Sequence, residues 1–174
     1  MFKRMSVAFA AIALVSAQVQ ASCWERQEIS AGTIRDLQSM LMVATLRCQV
    51  MKVDITGDYN VFLQANKSTI QKMNDRLKLH FIKAHGPVDG QRHYDAFATS
   101  LANGYGSRQG DAEVCSSTAS LAREAAMMAG SEEGLALLAQ RQGINTLLPE
   151  GACGVDGPTL TVASATIGRQ GPAD

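Results

Sequence analysis

This chain lacks most of the features that announce a catalytic or nucleic-acid-binding protein. Aromatic residues make up only 5% of it, with a single tryptophan, Trp24. A core must therefore be built from Leu, Ile, Val, Met and Ala. Neither sign of charge dominates: 16 Lys and Arg stand against 16 Asp and Glu. That balance removes the electrostatic attraction on which nucleic-acid binding relies. No Gly-x-Ser-x-Gly elbow occurs, no Gly-x-Gly-x-x-Gly follows a strand pattern, and there is neither Cys-x-x-Cys nor Cys-x-x-Cys-His. These absences withdraw sequence support from an elbow-type hydrolase, a dinucleotide-binding fold, a thioredoxin-type redox pair and covalently attached haem. After the N-terminal segment no apolar run approaches the roughly 20 residues of a membrane-spanning helix.

What is present begins at the N-terminus. Lys3 and Arg4 precede an apolar run from Val7 to Val15, and Val19-Gln20-Ala21 follows. A short positive region, an apolar stretch and a small-residue site describe a secretory signal peptide, residues 1–21, cleaved after Ala21. The expected location is periplasmic or secreted. The remainder, slightly acidic once Lys3 and Arg4 are removed, is long enough for one domain with a real core. All four cysteines, Cys23, Cys48, Cys115 and Cys153, follow the cleavage site. An even count in an oxidising compartment reads as two disulfides.

The helical bundle is expected over residues 22–142, with helical periodicity from about Ser30 to Gln142. Ile34, Leu37, Leu41, Ala44 and Cys48 recur at spacings of three and four, one face of a helix that Ser30 or Thr33 can cap. A second stripe runs without a break from Tyr59 through Phe62, Ile70, Met73, Leu77 and Phe81 to Ala84, stopped by Gly86-Pro87. A third helix covers about Gly90 to Asn103, a fourth starts at Asp111, and a short fifth is capped by Ser131. The expected fold is all-α: an up-down bundle of four main helices plus the short fifth. From residue 143 to 174 glycine and proline recur without helical pattern. That stretch reads as an extended tail, disordered or laid across the bundle, with one strand expected at Leu160 to Ala163.

In such a bundle Cys48, at the end of the first helix, and Cys115, near the start of the fourth, lie at the same end. Cys23 is poorly placed for Cys48, because thirteen to fifteen helical residues hold them roughly 20 Å apart. The expected pairs are Cys48–Cys115 and Cys23–Cys153.

Few residues are candidates for chemistry. His80 and His85 are five apart, about 140° around a helix, and cannot share a metal from one face. His93 approaches His85 only if the Gly86-Pro87 turn folds tightly, with Asp89 or Asp95 as an accompanying carboxylate. Solvated or half-buried histidines are the plainer reading. Non-covalent haem would need Met40 or Met42 with His80, but methionine at helical spacing is usually core filler. The alternating acids Asp54, Asp58 and their neighbours lack the glutamate of a calcium loop. Lys67, Lys72, Arg76, Lys78 and Lys83 border the second apolar stripe on both sides, as lysine stems covering a core do. Asn66-Lys67-Ser68 matches a glycosylation triplet set inside a helix. No cofactor or metal is expected, and no catalytic residue can be named.

The run Cys23-Trp24-Glu25, with Ile34 to Val43 and Leu46-Arg47-Cys48, resembles a family of short, exported, functionally uncharacterised helical proteins of Gram-negative bacteria with four cysteines. That resemblance implies export and helices, and transfers no active site. The expected function is a non-enzymatic binding or structural module of the cell envelope, its partner a protein, peptide or surface component. The alternative is a small periplasmic enzyme or a haem- or metal-binding helical protein.

Overall fold

The computed structural model describes residues 23–107 and 112–154. The expected signal peptide with its cleavage site, the expected Asp111 cap and the expected Leu160 to Ala163 strand lie outside the described residues. Within them the chain is helical: α1 (Arg26–Val50), α2 (Thr56–Ala65), α3 (Lys67–His85), α4 (Pro87–Gly106), α5 (Ala112–Met127) and α6 (Glu132–Arg141). No helix among the described residues is long and apolar enough to cross a membrane.

α1 starts earlier than Ser30 or Thr33. Glu25 occupies the cap position, and the Glu28 carboxylate reaches back to accept the Glu25 backbone N–H at 2.9 Å, satisfying an otherwise orphaned donor. The expected face of Ile34, Leu37, Leu41 and Cys48 is buried, but so are Ala31, Gly32, Thr33, Asp36, Ser39 and Thr45. Three of those polar residues fold back on their own helix. The hydroxyls of Thr33, Ser39 and Thr45 donate to the carbonyls of Ile29, Arg35 and Leu41 at 3.0, 3.0 and 2.8 Å. Once bonded in this way they enter the interior at little cost. α1 packs against every one of the other five helices, so the bundle is organised around a central helix.

The single long second helix is in fact two. Asn66, fully buried, leaves helical geometry between α2 and α3. Its side-chain amide donates to the carbonyls of Phe62 at 3.2 Å and Ala125 at 2.9 Å. The side chain thus competes with the helix's own ladder and fixes the bend to α5. The bend lets α2 pack on α5 while α3 packs on α4. Its burial also takes Asn66 away from any glycan-accepting role.

Gly86 (φ 80°) and Pro87 turn the chain from α3 into α4. Gly90 then lies so close to α3 that a Cβ there would stand 2.5 Å from Ile82 Cα and 2.6 Å from the Phe81 carbonyl oxygen. Only glycine permits that approach.

Two disulfides complete the body, Cys23–Cys153 and Cys48–Cys115, with Cα atoms 4.9 and 5.7 Å apart. Cys48 and Cys115 form a small separate core with Ile55 and Ala119. The first part of the expected tail, residues 144–153, is a strap across α1. Ile144 is buried, Leu148 meets Gly32, and the Trp24 backbone bonds to Gly151 and Cys153 at 2.9 Å each.

Candidate functional site

The strap, α1 and α3 meet at Trp24. Its indole is 1% exposed and stacks on the His80 imidazole with ring centroids 3.7 Å apart, while Phe81 meets it edge-on at 5.5 Å. The indole N–H donates to the Pro149 carbonyl. His80 Nδ1 lies 2.9 Å from Glu28 Oε2, the same oxygen that caps α1. Beside this node Arg76 donates to Glu132 at 2.6 Å and to the Gln27 carbonyl at 2.9 Å, with Lys72 3.7 Å from Glu132. A histidine–carboxylate pair is the skeleton of a general base. Here the imidazole is buried against Trp24, and among the described residues no serine or cysteine is hydrogen-bonded to it. Its role is to fasten α3 to the start of α1.

A second buried polar node lies farther along α1. Asp36 accepts the Tyr105 hydroxyl at 2.7 Å and the Thr146 hydroxyl at 2.9 Å, tying α4 and the strap to α1. On the other side Arg35 donates to Gln38 at 2.8 Å. Burial pushes the Tyr59 and Tyr94 hydroxyls above their usual value near 10.0, against the pull of the Arg35 charge. Lys78 sits over the Tyr94 ring, 5.3 Å from its centroid.

The sequence candidates are dispersed by the fold. His80 is in the Trp24 node. His85 and His93 do come together across the Gly86-Pro87 turn, with ring centroids 3.8 Å apart. Asp89 is paired with Arg92, and Asp95 accepts from Gln91 at 2.9 Å. Met40 packs against the main core and Met42 is half-buried. Asp54 accepts the Thr56 N–H at 2.9 Å, and hydrogen bonds from Thr56 hold its carboxyl below the usual carboxylate range. Among the described residues no three His, Cys, Asp or Glu side chains gather as a metal would require. All four cysteines are bonded in disulfides, so none offers a thiol.

Four grooves on the described surface bear on the question. One of about 520 Å³ runs along α3 past Leu63, Ile70, Asn74 and Lys78, and one of about 490 Å³ lies between Arg26, Glu28, Arg76 and Lys83. The other two share Leu137 and Gln140 and follow α6. One, of about 440 Å³, lies against Ile29, Thr33 and Ala136 of α1 and α6; the other, of about 630 Å³, continues past Met128 and Gly134 to Arg141. None of the four is lined by His80, Met40 or Met42. Leu137 stands at the junction of the α6 grooves and is 53% exposed. At their rim Glu132 is engaged by Arg76, whereas Glu133 and Arg26 form no ion pair among the described residues.

Sequence reasoning missed Glu28 and the α6 trough, and read Asp36 as a first-turn acid behind a Thr33 cap where the structure buries it in mid-helix. Glu28 was visible in principle, since it stands three residues after Glu25 where a cap partner belongs. Leu137 reads in the sequence as the wrong side of a short helix, and nothing there shows that α1 supplies the facing wall. Comparison with protein-family models, curated proteins and solved structures finds no match to this chain.

Proposed function

We propose that this chain is exported to the oxidising part of the cell envelope and works there as a non-enzymatic binding module. Its binding surface is the α6 trough, which takes an apolar segment of a partner protein or peptide. The observation that carries this reading is the pair of grooves that meet at Leu137, with Ile29 and Ala136 lining one and Met128 the other. An exposed apolar groove rimmed by polar residues is the usual form of a peptide-recognition surface. Glu133 and Arg26, both without an ion pair at the rim among the described residues, favour a segment that carries a charge of each sign beside its apolar residues. The two disulfides support export, since such bonds persist in oxidising compartments.

The test is a cross-linked pull-down from envelope extract with the mature chain, comparing wild type with Leu137→Asp. A partner held by the wild type and lost with Leu137→Asp, whose circular dichroism stays unchanged, is the expected result. Equal capture by both proteins would remove the trough from the reading. N-terminal sequencing of the exported protein should begin at Ser22; a retained Met1 would refute the leader.

A further inference from the structure

We propose that His85 and His93 form a binding site for a divalent transition-metal ion, of the Cu²⁺, Ni²⁺ or Zn²⁺ class, which clips α3 to α4 across the Gly86-Pro87 turn. The two side chains come from different helices, one at the end of α3 and one in the second turn of α4. The turn brings their rings to a centroid separation of 3.8 Å at an interplanar angle of 10°. Both are exposed, and imidazole nitrogen suits these ions.

One ring of the pair is held by a backbone hydrogen bond that leaves its other nitrogen open. His93 Nδ1 lies 2.8 Å from the Asp89 carbonyl oxygen. A carbonyl only accepts, so Nδ1 carries the proton of the neutral ring and Nε2 keeps its lone pair. Fixing one ring nitrogen on a backbone carbonyl is how proteins orient a ligating histidine. His85 touches Phe81 and His93 through its ring and makes no hydrogen bond among the described residues, so both of its nitrogens can be offered.

The separation also suits the chemistry. Two imidazole nitrogens on one tetrahedral ion, each bonded at about 2.0–2.1 Å, stand roughly 3.3 Å from each other. In the stack the ring planes are nearly parallel and their lone pairs run side by side, so chelation requires both rings to rotate out of the stack, which exposed side chains at a helix hairpin can do. No third protein ligand is within reach among the described residues, so water completes the shell. The Asp89 carboxylate, already paired with Arg92, lies one turn before His93.

The site is tested by titrating the full mature chain with CuCl₂, NiCl₂ and ZnCl₂ by isothermal calorimetry. His85→Ala, His93→Ala and the double variant follow, with circular dichroism as a fold control. One ion per chain is expected, each single substitution loosening Kd at least tenfold and the double variant abolishing binding. Copper-loaded wild type should show electron paramagnetic resonance hyperfine structure from two imidazoles, and saturating zinc should raise its Tm but not that of the double variant. Absence of stoichiometric binding to the wild type, or binding that survives in the double variant, would overturn the proposal.

Discussion

Replacing Cys48 and Cys115 together by alanine tests whether the cross-link acts as the helix geometry requires. The bond joins residues 67 apart in sequence. Opening a loop of that size returns about 15 cal/mol/K of chain entropy to the unfolded state, worth about 4.4 kcal/mol at 25 °C. The folded state loses little by comparison. Both sites are buried beside Ile55 and Ala119, and alanine leaves no polar group there, only a small void. The effect therefore sits in the unfolded ensemble, which becomes more expanded. The measurement is urea unfolding of the non-reduced proteins, followed by fluorescence of Trp24, the only tryptophan, whose indole is buried against His80. The variant should be about 4 kcal/mol less stable, a large part of the 5–15 kcal/mol typical of a domain. Its m-value should also rise, because more surface is exposed on unfolding. A loss under about 1 kcal/mol with an unchanged m-value would refute the loop-closure reasoning.

Two further outcomes follow from the packing and the titrating groups. Gly90→Ala should lower stability by about 1–3 kcal/mol in chemical denaturation, since the added methyl meets the α3 backbone and overpacking outweighs the helix propensity gained. Gly104→Ala, in open space on the same helix, should instead gain up to about 1 kcal/mol; losses in both would show that the close approach is not the cause. Tyr59 and Tyr94 are held above the usual tyrosine value of 10.0 by burial. Their contribution is therefore whole below pH 10, where both states keep the proton. It falls above pH 10, as the unfolded chain deprotonates first. A Tm profile across alkaline pH should show that decline and become flatter in Tyr59→Phe/Tyr94→Phe; an unchanged slope would remove the two hydroxyls as its source.

Much of the architecture could be read from the chain, and the failures have particular causes. The faces of α3 and α4 were legible because Met73, Leu77 and Phe81, then Tyr94 and Phe97, recur at helical spacing and each helix buries one side. α1 was half legible. Its apolar stripe is plain, but Thr33, Asp36, Ser39 and Thr45 look like a solvated face until one sees that their oxygens are bonded and other helices cover them. The bend at Asn66 was hidden because apolar spacing continues through it. Only the Ala125 carbonyl, supplied by α5, gives that asparagine a reason to leave the helix. The strap read as tail for a similar reason: it has no periodicity of its own, and its order comes from Trp24, Asp36 and Gly32.

Taken alone, then, the sequence determined a helical chain with its apolar stripes, the turn at Gly86-Pro87, and cysteines positioned at ends that a bundle brings together. These are local matters, set by periodicity and by what proline and glycine allow the backbone to do. The tertiary structure alone decided that α1 is central, that His80 belongs to the Trp24 node, that His85 meets His93, and that Leu137 lines a trough. Each of those depends on groups far apart in the chain sharing one small volume. Hydrophobic spacing specifies which face turns inward, but not which partner it finds there.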